Sequence, residues 1–406
     1  MTTESKGCQG DAATASATAL SSAAVQGARE LDGARAISTI VHVVEATATG
    51  TLSMVCASAN LLAERGHHVH VVYSRRPETP SNLESLFHPN IVLRCIPMNG
   101  GSIGTAIFRL HSLLRQVNPE IVHLHSSFAG FMGRAASIGL PVRPRLFYSP
   151  HCISVMRRDI NFKRYIFALL ERVANLRTCT YLACSESERR AISDWVGAQS
   201  LVVENAIEWV GNDRRRPAAA DQAKANPLVV ISVGGVRHQK DPALMAEIAR
   251  KCRDSGLNYR FVWVGNGDDK LVSLLVDAGV EVTGWLDKPQ VSDLLASSDI
   301  YISTAQWEGL PVAVIEAMAS GLLVMATRCA GNVDAIDHGR TGLLFGDASD
   351  ALALLQEIAG NRVQYSSICE AGMKEAGSRF SIKQFSERLI EAYSLSVATS
   401  KHAKNQ

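Results

Sequence analysis

The stretch Tyr301–Ala319, YISTAQWEGLPVAVIEAMA, carries two carboxylates, Glu308 and Glu316, with seven residues between them. Its β-branched start, its Gly-Pro punctuation and the apolar spacing that follows predict a strand, a loop and a helix. Pro311 is expected at the first helical position, and Gly321 just past the last turn, where a residue without Cβ takes the left-handed conformation. Glu308 then stands in the loop at the strand end and Glu316 a turn or more into the helix. Both suit the acceptance of hydrogen bonds from hydroxyl groups, with sugar and ribose hydroxyls the natural partners. The unpaired N–H groups at the start of the helix favour a phosphate nearby.

A second cluster, Val233–Pro242 (VGGVRHQKDP), follows another β-branched run. Asp241 is the expected N-cap and Pro242 the opening residue of a helix, which leaves Lys240 in the loop with an ammonium able to reach a diphosphate. The sequence has no Asp-x-Asp to hold a divalent ion, and its nine cysteines are scattered without C-x-x-C spacing. Scattered, odd-numbered cysteines fit a reducing compartment.

These residues need elements to position them. With 406 residues, 47% of them apolar and 20% charged, the chain is long enough for two globular cores. From residue 38 onward, short β-branched runs alternate with longer helical patterns, the form taken by βαβ units around parallel sheets. Seven runs fall in the first half, at residues 38–44, 69–73, 91–97, 121–125, 145–149, 181–184 and 201–204. Six fall in the second, at 228–233, 260–264, 280–283, 300–303, 322–327 and 343–345. The expected organisation is a disordered leader (1–36), a first Rossmann-like domain (37–210), a polar linker (211–226), a second Rossmann-like domain (227–380) and a C-terminal helix (381–400) that crosses back to the first. Such α/β domains bind ligands at the carboxyl ends of their strands, so the site is expected in a cleft between the halves. Lys plus Arg (41) nearly balances Asp plus Glu (39), which argues against nucleic acid as a partner. No apolar run reaches the roughly 20 residues of a membrane span, and a cytoplasmic protein is expected.

The text E-G-L-P-V-A-V-I-E followed by A-M-A-S-G resembles the E-x7-E motif of the family 4 glycosyltransferases, which have the GT-B fold of two Rossmann-like domains facing each other across a cleft. The likeness extends over residues 38–395. It implies a metal-independent, retaining transfer of a hexose from a nucleotide-diphosphate sugar, a co-substrate with no further cofactor, to a glycan or lipid-linked acceptor in polysaccharide biosynthesis. On this resemblance Glu308 contacts the donor sugar and Glu316 the ribose, and the amides of Gly309 and Leu310 lie beside the donor. The usual V-G-R is altered here: Gly235 stands at the Arg position, and Arg237 is the candidate replacement, acting with Lys240 on the leaving diphosphate. Gly265, in V-G-N-G-D, and Leu286, in V-T-G-W-L-D, match segments lining the donor cleft. Gly50 and Thr51, in the loop Thr47–Ser53, match the lip beside the donor phosphate. His151, in YSPHC, matches a histidine beside the donor sugar, although Cys152 follows it where relatives carry Gly. His123 and His125 sit on a strand near the acceptor region, with core histidines the plainer reading. Asn205–Ile207 resembles a structural domain border.

In this family the departing diphosphate deprotonates the acceptor on the same face, so positioning and charge neutralisation by Lys240, Arg237 and helix N-termini carry catalysis. Two alternatives stay open: a nucleotide-sugar epimerase of the same fold, and a non-catalytic nucleotide-sugar-binding protein, prompted by Gly235. A nicotinamide dehydrogenase does not fit, because no strand–GxGxxG–helix unit with a following acidic residue is present. Arg157–Arg177 mixes cations with large apolar residues. It suits the inner face of an anionic membrane, with an ordinary amphipathic helix packed on the first sheet the favoured reading.

Overall fold

The computed structural model describes residues 38–47, 49–98, 103–160, 162–208 and 227–402. The expected leader and linker lie outside these residues. Two parallel sheets carry the chain from Thr39 onward. The first contains β1 (Thr39–Val44), β2 (His68–Tyr73), β3 (Val92–Cys95), β4 (Ile121–His125), β5 (Arg145–Ser149), β6 (Thr180–Ala183) and β7 (Ser200–Val202), in the order β3-β2-β1-β4-β5-β6-β7. The second contains β8 (Leu228–Val233), β9 (Tyr259–Val264), β10 (Glu281–Val282), β11 (Ile300–Ser303), β12 (Leu323–Thr327) and β13 (Leu343–Phe345), in the order β10-β9-β8-β11-β12-β13. Every pairing is parallel, with helices as crossovers.

The central strands are buried along nearly their whole length, β4 completely and β1 from Ile40 on. That is the pattern of strands covered on both faces, and it explains why they read as continuous Val/Ile/Leu runs rather than alternations. Strand order reverses between β1 and β4 in one sheet and between β8 and β11 in the other. Each reversal opens a crevice at the carboxyl ends of those strands. The fold is thus α/β, with two Rossmann-like domains and a cleft between them.

The last helix, Ile382–His402, follows a helix of the second domain (Ser366–Arg379) but seats Phe385, Leu389, Ala392 and Tyr393 in the core of the first sheet. At about 1.5–3 kcal/mol for each large apolar side chain buried, this stitch is a substantial part of the first domain's stability. Among the described residues, no helix is long and apolar enough to cross a membrane.

Candidate active site

One cleft of about 2390 Å³ gathers every predicted site residue: Gly50, Thr51, His151, Arg237, Lys240, Gly265, Leu286, Glu308, Gly309, Leu310 and Glu316 all line it. On the second-domain side, the chain leaves β8 and turns through His238–Lys240 into the helix Pro242–Asp254. The Asp241 carboxylate caps that helix by accepting from the Leu244 N–H. This turn aims Lys240 at the loop after β11, where its Nζ donates to Glu308 Oε1 at 2.5 Å. Gln239 Nε2 donates to the Trp307 carbonyl at 3.0 Å, and the Thr304 hydroxyl donates to the Lys240 carbonyl at 2.7 Å, so the two loops brace each other. Glu308 is buried, and the ammonium of Lys240 is its ion-pair partner.

The departure at Gly235 has a local resolution. A Cβ at Gly235 would stand 2.7 Å from the Arg237 guanidinium, so the arginine folds back over the space that the missing side chain leaves. Gly265 serves packing as well as the cleft. Its φ is 140°, and a Cβ there would lie 2.1 Å from the Gly234 carbonyl oxygen, so only glycine lets the two loops approach. Glu316 is half-buried, and burial raises its carboxyl above the ordinary range, with Lys288 opposing the rise.

The facing wall is the loop after β5. His151 (φ 54°) and Cys152 (φ 91°) both have left-handed backbones, so Cys152 keeps a conformation that suits glycine. Glu188 stabilises this turn. Its Oε1 accepts the N–H groups of Cys152 and Ile153, each at 2.7 Å, and its Oε2 accepts that of Cys184 at 2.8 Å. Burial raises the Glu188 carboxyl, and these amides hold the rise back. The two walls touch at Gly309, where a Cβ would meet the Cys152 nitrogen at 2.8 Å and Cys184 Sγ at 2.9 Å. Asn205 Nδ2 donates to the Leu310 carbonyl at 2.7 Å, pinning the carboxylate-bearing loop from the first domain.

Behind His151 lie three buried histidines. His42 Nδ1 stands 3.0 Å from His125 Nε2, and His125 Nδ1 stands 3.1 Å from His151 Nε2. His123 turns away, meeting the Tyr393 hydroxyl and the Ser149 hydroxyl at 2.9 Å each. Burial lowers all four imidazoles: His42 to about 3, His151 to about 4, and His123 and His125 well below the usual range. His42, His123 and His125 are also the described residues whose ligand atoms lie close enough to hold a metal ion, all within 4.8 Å of one another.

Three expectations need correction. Gly50 and Thr51 are not in a loop, because the helix already runs from Thr49 to Glu64. Early helix formation brings Gly50 against the start of the next domain's helix, where its Cβ would lie 3.2 Å from Val312. Pro311 is the N-cap, one residue ahead of the first helical position, its ψ of 109° being extended. The cationic segment is helical only over Lys163–Ala174, and it does not bury its apolar side: Phe162, Tyr165, Ile166, Leu169 and Leu170 are exposed. Its buried residues are Ala168 and Glu171, and Glu171 pairs with the buried Arg134 at 2.7 Å. His42 and Glu188 join the site without a motif to mark them, and Asn205, expected only as a structural domain border, joins it through the Leu310 carbonyl. The one sequence signal for His42 is a polar residue inside an otherwise apolar strand.

Comparison with known proteins follows the same division. Residues 50–208 match the domain family described as Glycosyltransferase Family 4, and residues 227–360 match Glycosyl transferases group 1. A Klebsiella pneumoniae protein of the cps region, itself uncharacterized, is 23% identical over 78% of this chain and 88% of its own length. The Escherichia coli UDP-Gal:alpha-D-GlcNAc-diphosphoundecaprenol alpha-1,3-galactosyltransferase is 26% identical over 56% of this chain and 62% of its own length. Among solved structures, Anabaena Alr3699/HepE in complex with UDP and glucose superposes with a TM-score of 0.74 at 16% identity, over 88% of this chain and 99% of that one. With both halves matched in order, and with the two facing Rossmann-like domains in place, the chain belongs to the family 4 glycosyltransferases of GT-B fold.

Proposed function

We propose that this chain transfers a hexose, with retention of configuration, from a nucleotide-diphosphate sugar to a hydroxyl of a glycan or lipid-linked acceptor in polysaccharide assembly. One observation carries the reading: the Lys240–Glu308 pair, braced by Gln239 and Thr304, faces the His151 turn across a contact at Gly309. A cation, a hydroxyl acceptor and an imidazole thus converge where a sugar diphosphate fits. Lys240 and Arg237 neutralise the leaving diphosphate, with the helix starts at Gly50–Thr51 and Val312 adding N–H groups. Glu308 and Glu316 accept from donor-sugar and ribose hydroxyls, the Gly309 and Leu310 backbone borders the sugar, and Gly265 and Leu286 border the nucleotide. His151 lies on the sugar's other side. The acceptor loses its proton to the departing phosphate on the same face, and the protein's contribution is alignment and charge. The position of Arg237 over Gly235 restores a cation near the altered motif, which weakens the case for a non-catalytic binding protein.

The diphosphoundecaprenol acceptor of the E. coli relative supports a lipid-linked acceptor here. So does the exposed face of the Lys163–Ala174 helix, with Phe162, Leu169 and Leu170 outward among Arg157, Lys163 and Arg172, a combination suited to an anionic membrane surface. A thermal-shift panel of UDP- and GDP-sugars identifies the donor, since a ligand that binds the native state raises its stability. Transfer is then followed by nucleotide release with and without acceptor, and the anomer of the product is read by NMR. Lys240→Ala is expected to lose roughly 10²–10³-fold in turnover with unchanged folding. Normal turnover in that variant, or an inverted product, overturns the reading; donor consumption without acceptor points to the epimerase.

A further inference from the structure

The buried histidines form a directed file. The His42–His125 and His125–His151 ring centroids are 5.3 and 5.4 Å apart, with interplanar angles of 24° and 11°. Those separations equal the 3.0 and 3.1 Å nitrogen distances plus one ring radius at each end, which is what nearly coplanar rings meeting nose to tail give. Faces stacked on one another would not place their nitrogens this way. Both contacts are therefore N–H···N hydrogen bonds, and a neutral imidazole has one N–H to give and one lone pair to accept with.

One direction is favoured. His42 Nε2, the far end of the file, is buried and has no hydrogen-bond partner among the described residues. If the bonds ran away from the cleft, that atom would carry an unpaired buried N–H, the costlier kind of orphan. If they run toward the cleft, it is a bare lone pair: His42 Nδ1–H donates to His125 Nε2, and His125 Nδ1–H donates to His151 Nε2. His151 Nε2 then accepts, its proton sits on Nδ1, and Nδ1 is the nitrogen left for a ligand in the cleft that His151 lines. A metal bound by His42, His123 and His125 competes poorly with this arrangement, because both nitrogens of His123 and of His125 are already hydrogen-bonded. The low basicity of the buried rings keeps the file neutral at ordinary pH.

We propose that His42 and His125 are positioning residues that hold His151 in one tautomer, with its proton on Nδ1, so that it meets the donor sugar as a hydrogen-bond donor. This rests on the reading of His151 as a neighbour of that sugar.

The test is ¹⁵N NMR of histidine-labelled protein, in which pyrrole-like and pyridine-like nitrogens separate, together with steady-state kinetics. Expected for the wild type is a single His151 species, pyrrole-like at Nδ1. His42→Phe, which removes the first donor, and His125→Phe, which removes the second, should each mix or invert that assignment. Each should lower kcat by roughly 10- to 100-fold with little change in donor KM. His42→Asn, whose amide can donate in place of Nδ1–H, should recover turnover relative to His42→Phe. A wild-type His151 protonated at Nε2, wild-type kcat in both Phe variants, or one equivalent of zinc found by elemental analysis overturns the proposal. If the Phe variants fail to fold, the wild-type spectrum still decides. The underlying reading fails separately: wild-type turnover in His151→Ala would remove His151 from the sugar site whatever its tautomer.

Discussion

Acid should unfold this protein through its buried imidazoles, and the size of the effect can be worked from three of them. His42, His123 and His125 are 0–2% exposed, with pKa values driven down by burial, His42 to about 3. In the unfolded chain they titrate near 6.5. Below that pH the unfolded state binds protons that the native state refuses, so stability is full above pH 6.5 and falls as the pH drops toward the native values. Each imidazole contributes a slope of about 1.4 kcal/mol per pH unit once the unfolded form is fully protonated, and the three together about 4. By pH 5 the loss reaches about 6 kcal/mol relative to pH 8, comparable with the whole stability of many domains. Glu188 and Glu316, whose carboxyls are raised by burial, act with opposite sign and trim the low end of this window. Urea titrations followed by circular dichroism at pH 7.5, 6.5, 5.5 and 5.0 measure the slope, and His42→Phe should flatten it by about a third. A loss under about 1 kcal/mol between pH 7 and 5 would mean that these rings take protons in the native state, and the argument from burial would be wrong.

Gly309→Ala should cost about 1–3 kcal/mol in thermal unfolding and most of the turnover, because the new methyl must push the Cys152 backbone and Cys184 apart. Unchanged kinetics would show that the two walls are not held together there. Arg134→Leu should destabilise by about 3–5 kcal/mol in urea titration, since it strands the Glu171 carboxylate beside Tyr148 and Tyr181. Arg134→Leu with Glu171→Leu should regain much of that loss. Replacing Leu169 and Leu170 by Asp should reduce co-sedimentation with anionic vesicles severalfold and leave the melting temperature in place, because both side chains are exposed. Equal sedimentation would remove this helix as the membrane contact.

The thirteen strands among the described residues were legible because each is a short apolar run, most of them rich in β-branched or aromatic residues, and their boundaries moved by no more than two residues between pattern and structure. The Glu308–Glu316 and Lys240 clusters were legible because loop chemistry, caps and charge occur together within a few positions. The start of the Thr49 helix was not, since Gly50 and Thr51 are weak helix formers and a tertiary contact with Val312 outweighs local preference. Periodicity marked the Lys163–Ala174 helix as amphipathic but says nothing about whether its apolar side finds protein. Least visible was the histidine file. His42, His125 and His151 come from β1, from β4 and from the loop after β5, and they meet only because the sheet is ordered β1-β4-β5. The fold-back of Arg237 over Gly235 likewise depends on backbone geometry that residue types do not encode.

The C-terminal helix imposes an order on biosynthesis. The first domain's core is completed by Phe385, Leu389, Ala392 and Tyr393, with the Tyr393 hydroxyl on His123 and its carbonyl accepting from Arg145 at 2.5 Å. A ribosome elongating at roughly 5–20 residues per second spends about nine to thirty-eight seconds between β7 and those residues. Throughout that interval the earlier-made first domain carries an open apolar furrow that this later-made helix closes. Nascent or prematurely terminated chains are thus natural clients for chaperones and proteases, while the finished protein hides the signal.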